Sequence, residues 1–134
     1  EKMIQMMCLI TAIYFESGNQ SLVGQVAVGD VIINRVLDPR YPSTICEVTK
    51  EGRYVPWSDH PVRNMCQFSF WCDGKPEEAP TSPKSLLAAA LELYIPFDVS
   101  GGATHYHASY VAPSWARDSL RTVAIGQHIF YKNP

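Results

Sequence analysis

Of the acidic side chains in this sequence, Glu16 has the placement that best suits chemistry. Met6, Leu9, Ile13 and Glu16 recur at spacings of three, four and three, which is one face of a helix over residues 3–17. An ionised carboxylate is costly to bury, and the C-terminal end of a helix disfavours negative charge further. Both effects favour the protonated form. A carboxyl held neutral near pH 7 is what a glycosidase needs to protonate a bridging oxygen. The same placement suits a plain amphipathic helix end, or an ion pair with Arg35, so the acid alone does not decide the matter.

Cysteine and histidine offer other chemistries. Cys8, Cys46, Cys66 and Cys72 are an even set that closes two disulfides in any of three pairings, with one bridge and two core thiols as the other arrangement. Cys66 and Cys72 are the expected pair, because a short loop keeps them close. Five residues separate them, more than structural zinc sites use, and no second pair completes a ligand set. His105 and His107 alternate with Tyr106, so on a strand both point to one face. A third ligand is not evident, although His60 and His128 exist, and no metal or cofactor is expected. A cysteine nucleophile with His105 or His107 as base is the competing enzymatic reading, which free-thiol titration would decide.

These residues need elements to hold them. A chain of 134 residues that is 46% hydrophobic and 18% charged fits one compact domain with a real core. Glu16, Asp30, Asn34 and Arg35 interrupt its richest apolar stretch, so no membrane span is expected. The net charge of -2 lacks the basic bias of a nucleic-acid binder. The chain opens at Glu1 without a basic-then-apolar leader, so any targeting segment is expected to have been removed or to lie outside these residues.

After the first helix, Gly18 and Asn19 suggest a left-handed stop. Residues 22–37 are apolar almost all round and too long for a strand, which predicts a buried central helix ended by Asp38-Pro39. From Pro39 to Pro83 the sequence is rich in Pro, Tyr, Trp, Cys and Gly, and an irregular loop-rich lobe is expected. Ser82-Pro83 caps a third helix over 82–95, with Pro96 as its breaker. Period two then takes over. Residues 104–109 read as a strand, and 121–125 and 128–132 flank Gly126-Gln127 as a type II′ hairpin.

The segment AIYFESGNQSLVGQVAVGDVIINRVLDPRYPSTICEV resembles the opening motif of the cell-wall hydrolases related to spore-cortex lytic enzymes. In that family an acid on a helix precedes a Gly-Gln pair and an Asn-Arg pair, here Glu16, Gly24-Gln25 and Asn34-Arg35. The similarity continues through CQFSFWCDGKP at 66–76, GGATHYHASYVAPSWA and IGQHIFY, which covers nearly the whole chain in order. The resemblance implies an α+β fold with a helix-dominated, lysozyme-like lobe, a loop-rich segment and a small antiparallel sheet near the C-terminus. It implies cleavage of peptidoglycan outside the cytoplasm by Glu16, with Tyr106, which matches the family motif, holding the reacting sugar or else packing as a strand aromatic. Gln67 and Ser69 offer amide and hydroxyl groups to the substrate or to hydrogen bonds within their own loop, His107 is a candidate to line the cleft, and a monomer is expected. Trp57, Trp71 and Trp115 are candidates to stack on sugars. Wall remodelling and phage lysis both fit, and a non-catalytic wall-binding module is the rival from another class.

One departure bears on mechanism. The family commonly carries a second acid four residues after the first, and Gln20 stands there. Two-carboxylate hydrolysis needs a partner about 5–9.5 Å from the acid, and Asp30 and Asp73 are the remaining candidates. A lytic transglycosylase needs Glu16 alone, because the sugar's own 6-hydroxyl closes a 1,6-anhydro ring.

Overall fold

A computed structural model describes residues 2–76, 82–95 and 97–132. Ser21 starts one helix by accepting a hydrogen bond from the Gly24 amide at 3.2 Å. Ser82 starts another by accepting from the Ser85 amide at 3.3 Å, with Pro83 at the first helical position. The helices are α1 (Lys2–Ser17), α2 (Leu22–Leu37), α3 (Ile45–Thr49) and α4 (Pro83–Tyr94). The strands are β1 (Gly52–Tyr54), β2 (Pro61–Cys66), β3 (His105–Ala108), β4 (Leu120–Ile125) and β5 (His128–Lys132). β1 and β2 pair as a hairpin, and the C-terminal strands form an antiparallel sheet in the order β3-β5-β4. The expected α+β architecture is present.

α2 is the central element, with buried residues on every side from Gly24 to Ile32. Leu9, Ala12 and Ile13 of α1 meet Ile32, Val48 of α3 and Ala88 and Ala89 of α4 in one core cluster. A second cluster of Ala27, Val28, Val31, Ala103 and Phe130 fastens α2 to the sheet. Burying a Val, Leu or Ile side chain contributes about 1.5–3 kcal/mol, which outweighs the mild helix aversion of the β-branched residues in α2. The two faces of α2 thereby join the helical lobe to the sheet.

Gly18 departs from the expected left-handed stop. It is absent from the positive-φ glycines, which are Gly74, Gly101, Gly102 and Gly126. Its amide donates to the Tyr14 carbonyl at 2.8 Å, and the Gln20 amide donates to the Ser17 carbonyl at 2.8 Å. The chain thus leaves α1 through a right-handed turn. Gly126 has φ of 56°, Gln127 is not left-handed, and Ile125 pairs with His128, as a two-residue II′ loop requires. Pro96, expected to break α4, lies outside the described residues.

The segment from Pro39 is more ordered than its composition suggests, for it holds α3 and the β1–β2 hairpin. Thr44 caps α3, accepting from the Glu47 amide at 3.2 Å and donating to the Glu47 carboxylate at 2.8 Å. Cys8–Cys46 ties α1 to α3 with Cα atoms 5.3 Å apart, and Cys66–Cys72 closes the loop after β2 with Cα atoms 6.1 Å apart. All four cysteines are bridged, which leaves no thiol for a cysteine nucleophile.

Candidate active site

Glu16 is the penultimate residue of α1, partly buried between that helix and the C-terminal sheet. Burial raises its carboxyl above the usual carboxylate range, while the Tyr106 hydroxyl and the charge of Arg35 pull it back. The Tyr106 hydroxyl donates a hydrogen bond to Glu16 Oε1. The phenol stays protonated, because burial and the adjacent carboxyl both push its pKa well above normal. Among the described residues Glu16 Oε2 has no hydrogen-bond partner, and it is not one of their enclosed unpartnered atoms, so it is open to solvent. One oxygen is fixed and the other is open.

Tyr106 reaches Glu16 because β3 is held from both sides. Its ring packs against His128 and Phe130 of β5 at centroid separations of 5.0 and 5.7 Å. The loop entering β3 is clamped by the Asn-Arg pair of α2. Asn34 donates to the Ala103 carbonyl at 2.8 Å, and Arg35 Nε donates to the Thr104 carbonyl at 2.7 Å. Asp30 holds the same loop by accepting from the Val99 and Ser100 amides at 2.7 and 3.2 Å. The buried Gln25 amide performs a similar service at the end of α1, donating to the Gln20 carbonyl at 3.2 Å while accepting from the Ser85 hydroxyl at 2.6 Å. The motif residues of α2 are therefore the frame of the site.

Gln67 and Ser69 lie on the loop that Cys66–Cys72 closes. Phe68 and Phe70 alternate with them and are buried, and Phe70 stacks on Phe15 at 5.2 Å with an interplanar angle of 10°. Because Phe15 precedes Glu16, this stack anchors the loop at the end of α1. The Gln67 amide and the Ser69 hydroxyl are exposed and carry no side-chain hydrogen bond among the described residues. Both are free to meet a ligand.

His107 is placed differently. Tyr106 pairs with Phe130 while His107 pairs with Ile129, so the two side chains leave opposite faces of the sheet. His105 and His107 share the outer face, as the alternation predicts, with Trp115 at 5.3 and 5.7 Å from their rings. Their ring nitrogens engage Thr104, the Ala108 carbonyl and Tyr131. Trp71 donates to the Tyr54 hydroxyl at 2.8 Å beneath Lys50, whereas Trp57 is 83% exposed at the tip of the β1–β2 hairpin.

Neither acid considered as a partner for Glu16 stands free beside it. Asp30 serves the 98–102 loop, and Asp73 accepts from the Lys75 amide at 2.9 Å in an exposed turn. The carboxyl missed by sequence reasoning is Glu51, at the entry to β1. Burial raises its pKa and Arg35 lowers it, and its Oε1 is enclosed without a partner. Arg35 Nη1 is likewise enclosed and unpartnered, and Arg35 makes no ion pair with either glutamate. No spacing in the sequence marks Glu51, since its place in the field of Arg35 arises from tertiary folding alone.

A family model described as Cell Wall Hydrolase matches residues 19–131. The chain belongs to the cell wall hydrolase family. A spore cortex-lytic enzyme of Bacillus cereus is 32% identical over 132 residues, covering 96% of this chain and 44% of the relative. One from Halalkalibacterium halodurans is 33% identical over 122 residues, covering 89% of this chain and 32% of the relative. This cell wall hydrolase chain thus spans less than half the length of these curated relatives. Among solved structures, the catalytic domain of the Bacillus cereus SleB protein superposes with a TM-score of 0.74 at 27% identity, covering 96% of this chain and 89% of that one. The catalytic domain of the germination-specific lytic transglycosylase SleB from Bacillus anthracis gives 0.73 at 26% identity, covering 96% and 93%. The helix-rich fold with its small C-terminal sheet is therefore that of the SleB catalytic domain.

Proposed function

We propose that this chain is a single, monomeric catalytic domain that cuts peptidoglycan outside the cytoplasm. It cleaves the β-1,4 bond between N-acetylmuramic acid and N-acetylglucosamine, with Glu16 as the acid. The observation that carries this reading is the division of labour at Glu16, where Tyr106 fixes Oε1 and Oε2 stays open to receive the glycosidic oxygen. Burial raises the Glu16 carboxyl and so favours its protonated form, and proton transfer to the leaving oxygen is the first step of glycoside cleavage. Gln67 and Ser69 supply unpaired amide and hydroxyl groups for the sugars' acetamido and hydroxyl substituents.

The second step is ring closure. The muramic acid 6-hydroxyl gives its proton to the Glu16 carboxylate and attacks the anomeric carbon, leaving a 1,6-anhydro end and a regenerated acid. Asp30 and Asp73 are occupied elsewhere, which favours this route over hydrolysis. Glu51 supports the runner-up, a hydrolytic muramidase, because it lies in the field of the same Arg35 as Glu16. Its enclosed oxygen weakens that case. Glu16→Gln tests the shared first step: it is expected to lower turnover of purified peptidoglycan by at least about a hundredfold with unchanged circular dichroism. Activity within about threefold of the parent would remove Glu16 from the mechanism.

A further inference from the structure

On the outer face of β3 lies a cavity of about 540 Å³ that the cleavage step does not use. Its floor is His107 and Tyr131, and its rim is the short turn at Ser114–Asp118 with Ser114 and Arg117. His107 Nδ1 lies 2.7 Å from the Ala108 carbonyl, which only accepts, so this nitrogen carries the proton. In the neutral ring Nε2 then accepts from the Tyr131 hydroxyl, 2.8 Å away. The His107 and Tyr131 rings stack at 5.3 Å, and Trp115 closes edge-on against Tyr131 at 5.3 Å. The floor is therefore held in place by hydrogen bonds and ring packing. Arg117 is exposed on the rim and has no hydrogen-bond or ion-pair partner among the described residues, in a chain whose net charge is -2.

The position of this cavity matters as much as its lining. β3 is an edge strand, and adjacent residues Tyr106 and His107 face the Glu16 site and the cavity respectively. One strand, roughly 10 Å of protein counting side chains, separates the two. A glycan at Glu16 carries its stem peptide on the muramic acid, and such peptides bear free carboxylates. We infer that the outer-face cavity is a stem-peptide subsite in which Arg117 pairs with a peptide carboxylate while the peptide backbone lies against His107 and Tyr131. This rests on the peptidoglycan reading above.

Muramyl dipeptide, the same compound with its terminal carboxylate amidated, and a chitin tetrasaccharide are the probes, titrated by calorimetry with amide chemical shifts recorded. Muramyl dipeptide is expected to shift the amides of His107, Ser114 and Arg117. Arg117→Ala is expected to weaken it about fivefold, with Arg117→Lys in between and with tetrasaccharide binding unchanged. The amidated compound should bind the parent as weakly as muramyl dipeptide binds the alanine variant. On intact peptidoglycan Arg117→Ala should raise KM at constant kcat, and on peptide-stripped glycan it should change neither. Equal binding of the acid and its amide, or shifts confined to the surroundings of Glu16, would overturn the subsite. A chain that binds muramyl dipeptide at the cavity yet cuts no glycan would overturn the cleavage reading and leave the subsite standing.

Discussion

Gln20 Oε1 accepts a hydrogen bond from the Gln127 amide at 3.0 Å, and Gln20 Nε2 donates to Gln127 Oε1 at 3.1 Å. The position where the resemblance expects a second acid is instead a latch between the end of α1 and the β4–β5 turn. Gln20 is only 7% exposed. An ideal Cβ on Gly126 would lie 2.4 Å from Gln20 Oε1, so glycine admits the amide to the turn. Gln20→Ala removes both bonds, and because Gln127 is exposed its freed groups turn to water, so the expected loss is about 1 kcal/mol. Urea denaturation measures it, and products of the variant should match those of the parent. A changed product would return position 20 to the chemistry.

Tyr106→Phe keeps the packed ring and removes the donor to Glu16 Oε1. That hydrogen bond favours the ionised carboxylate, so its loss raises the Glu16 pKa further. For an acid that must be protonated, the alkaline limb of the rate profile then moves to higher pH. The fixed orientation of the carboxyl is lost as well, and kcat is expected to fall about tenfold to a hundredfold. A pH–rate profile of the variant reports both effects. An alkaline limb displaced downward would show that Tyr106 does not act on the acid.

The helical framework could be read from spacing, run length and capping residues, as α1, α2 and α4 illustrate, and the β4–β5 turn from Gly126, because these signals are local. Glu16 and Tyr106 each stand out in the sequence as candidates. Their hydrogen bond spans ninety positions and has no spacing signature. The β1–β2 hairpin was hidden by a register irregularity between Gly52 and Tyr54 and by proline and glycine that read as loop. α3 is a different matter, since Thr44 and Glu47 are a capping box visible in the sequence but only five residues follow. Glu51 and the outward turn of His107 required the packed structure, because both depend on which faces the sheet and helices present to each other.

The contact of α2 with α4 contains an acid pair. Gly29 leaves room for Glu92, whose carboxyl would lie 2.9 Å from a Cβ there, and which stands in the field of Asp30 and Asp98. Burial and the nearby negative charges of Asp30 and Asp98 push Glu92 up to about 10, and burial pushes Asp30 up to about 6. Both folded pKa values exceed their unfolded ones, so the folded state holds protons that the unfolded chain releases. Stability from this pair is present below about pH 4 and declines as pH rises toward 10. Glu92→Gln keeps the size of the side chain without a titrating proton, and its stability should fall less between pH 5 and pH 9 than that of the parent. Urea midpoints at the two pH values decide it, and parallel losses in both proteins would exclude the pair as the origin.

The most direct test of a lone acid at Glu16 is the mass of the muramic acid ends released from purified peptidoglycan in isotopically heavy water. Cleavage in which the substrate's 6-hydroxyl closes the ring predicts 1,6-anhydro ends, lighter than hydrolytic ends by one water and free of solvent oxygen. Reducing ends that carry the heavy oxygen would contradict this account and make Glu51 the next residue to replace.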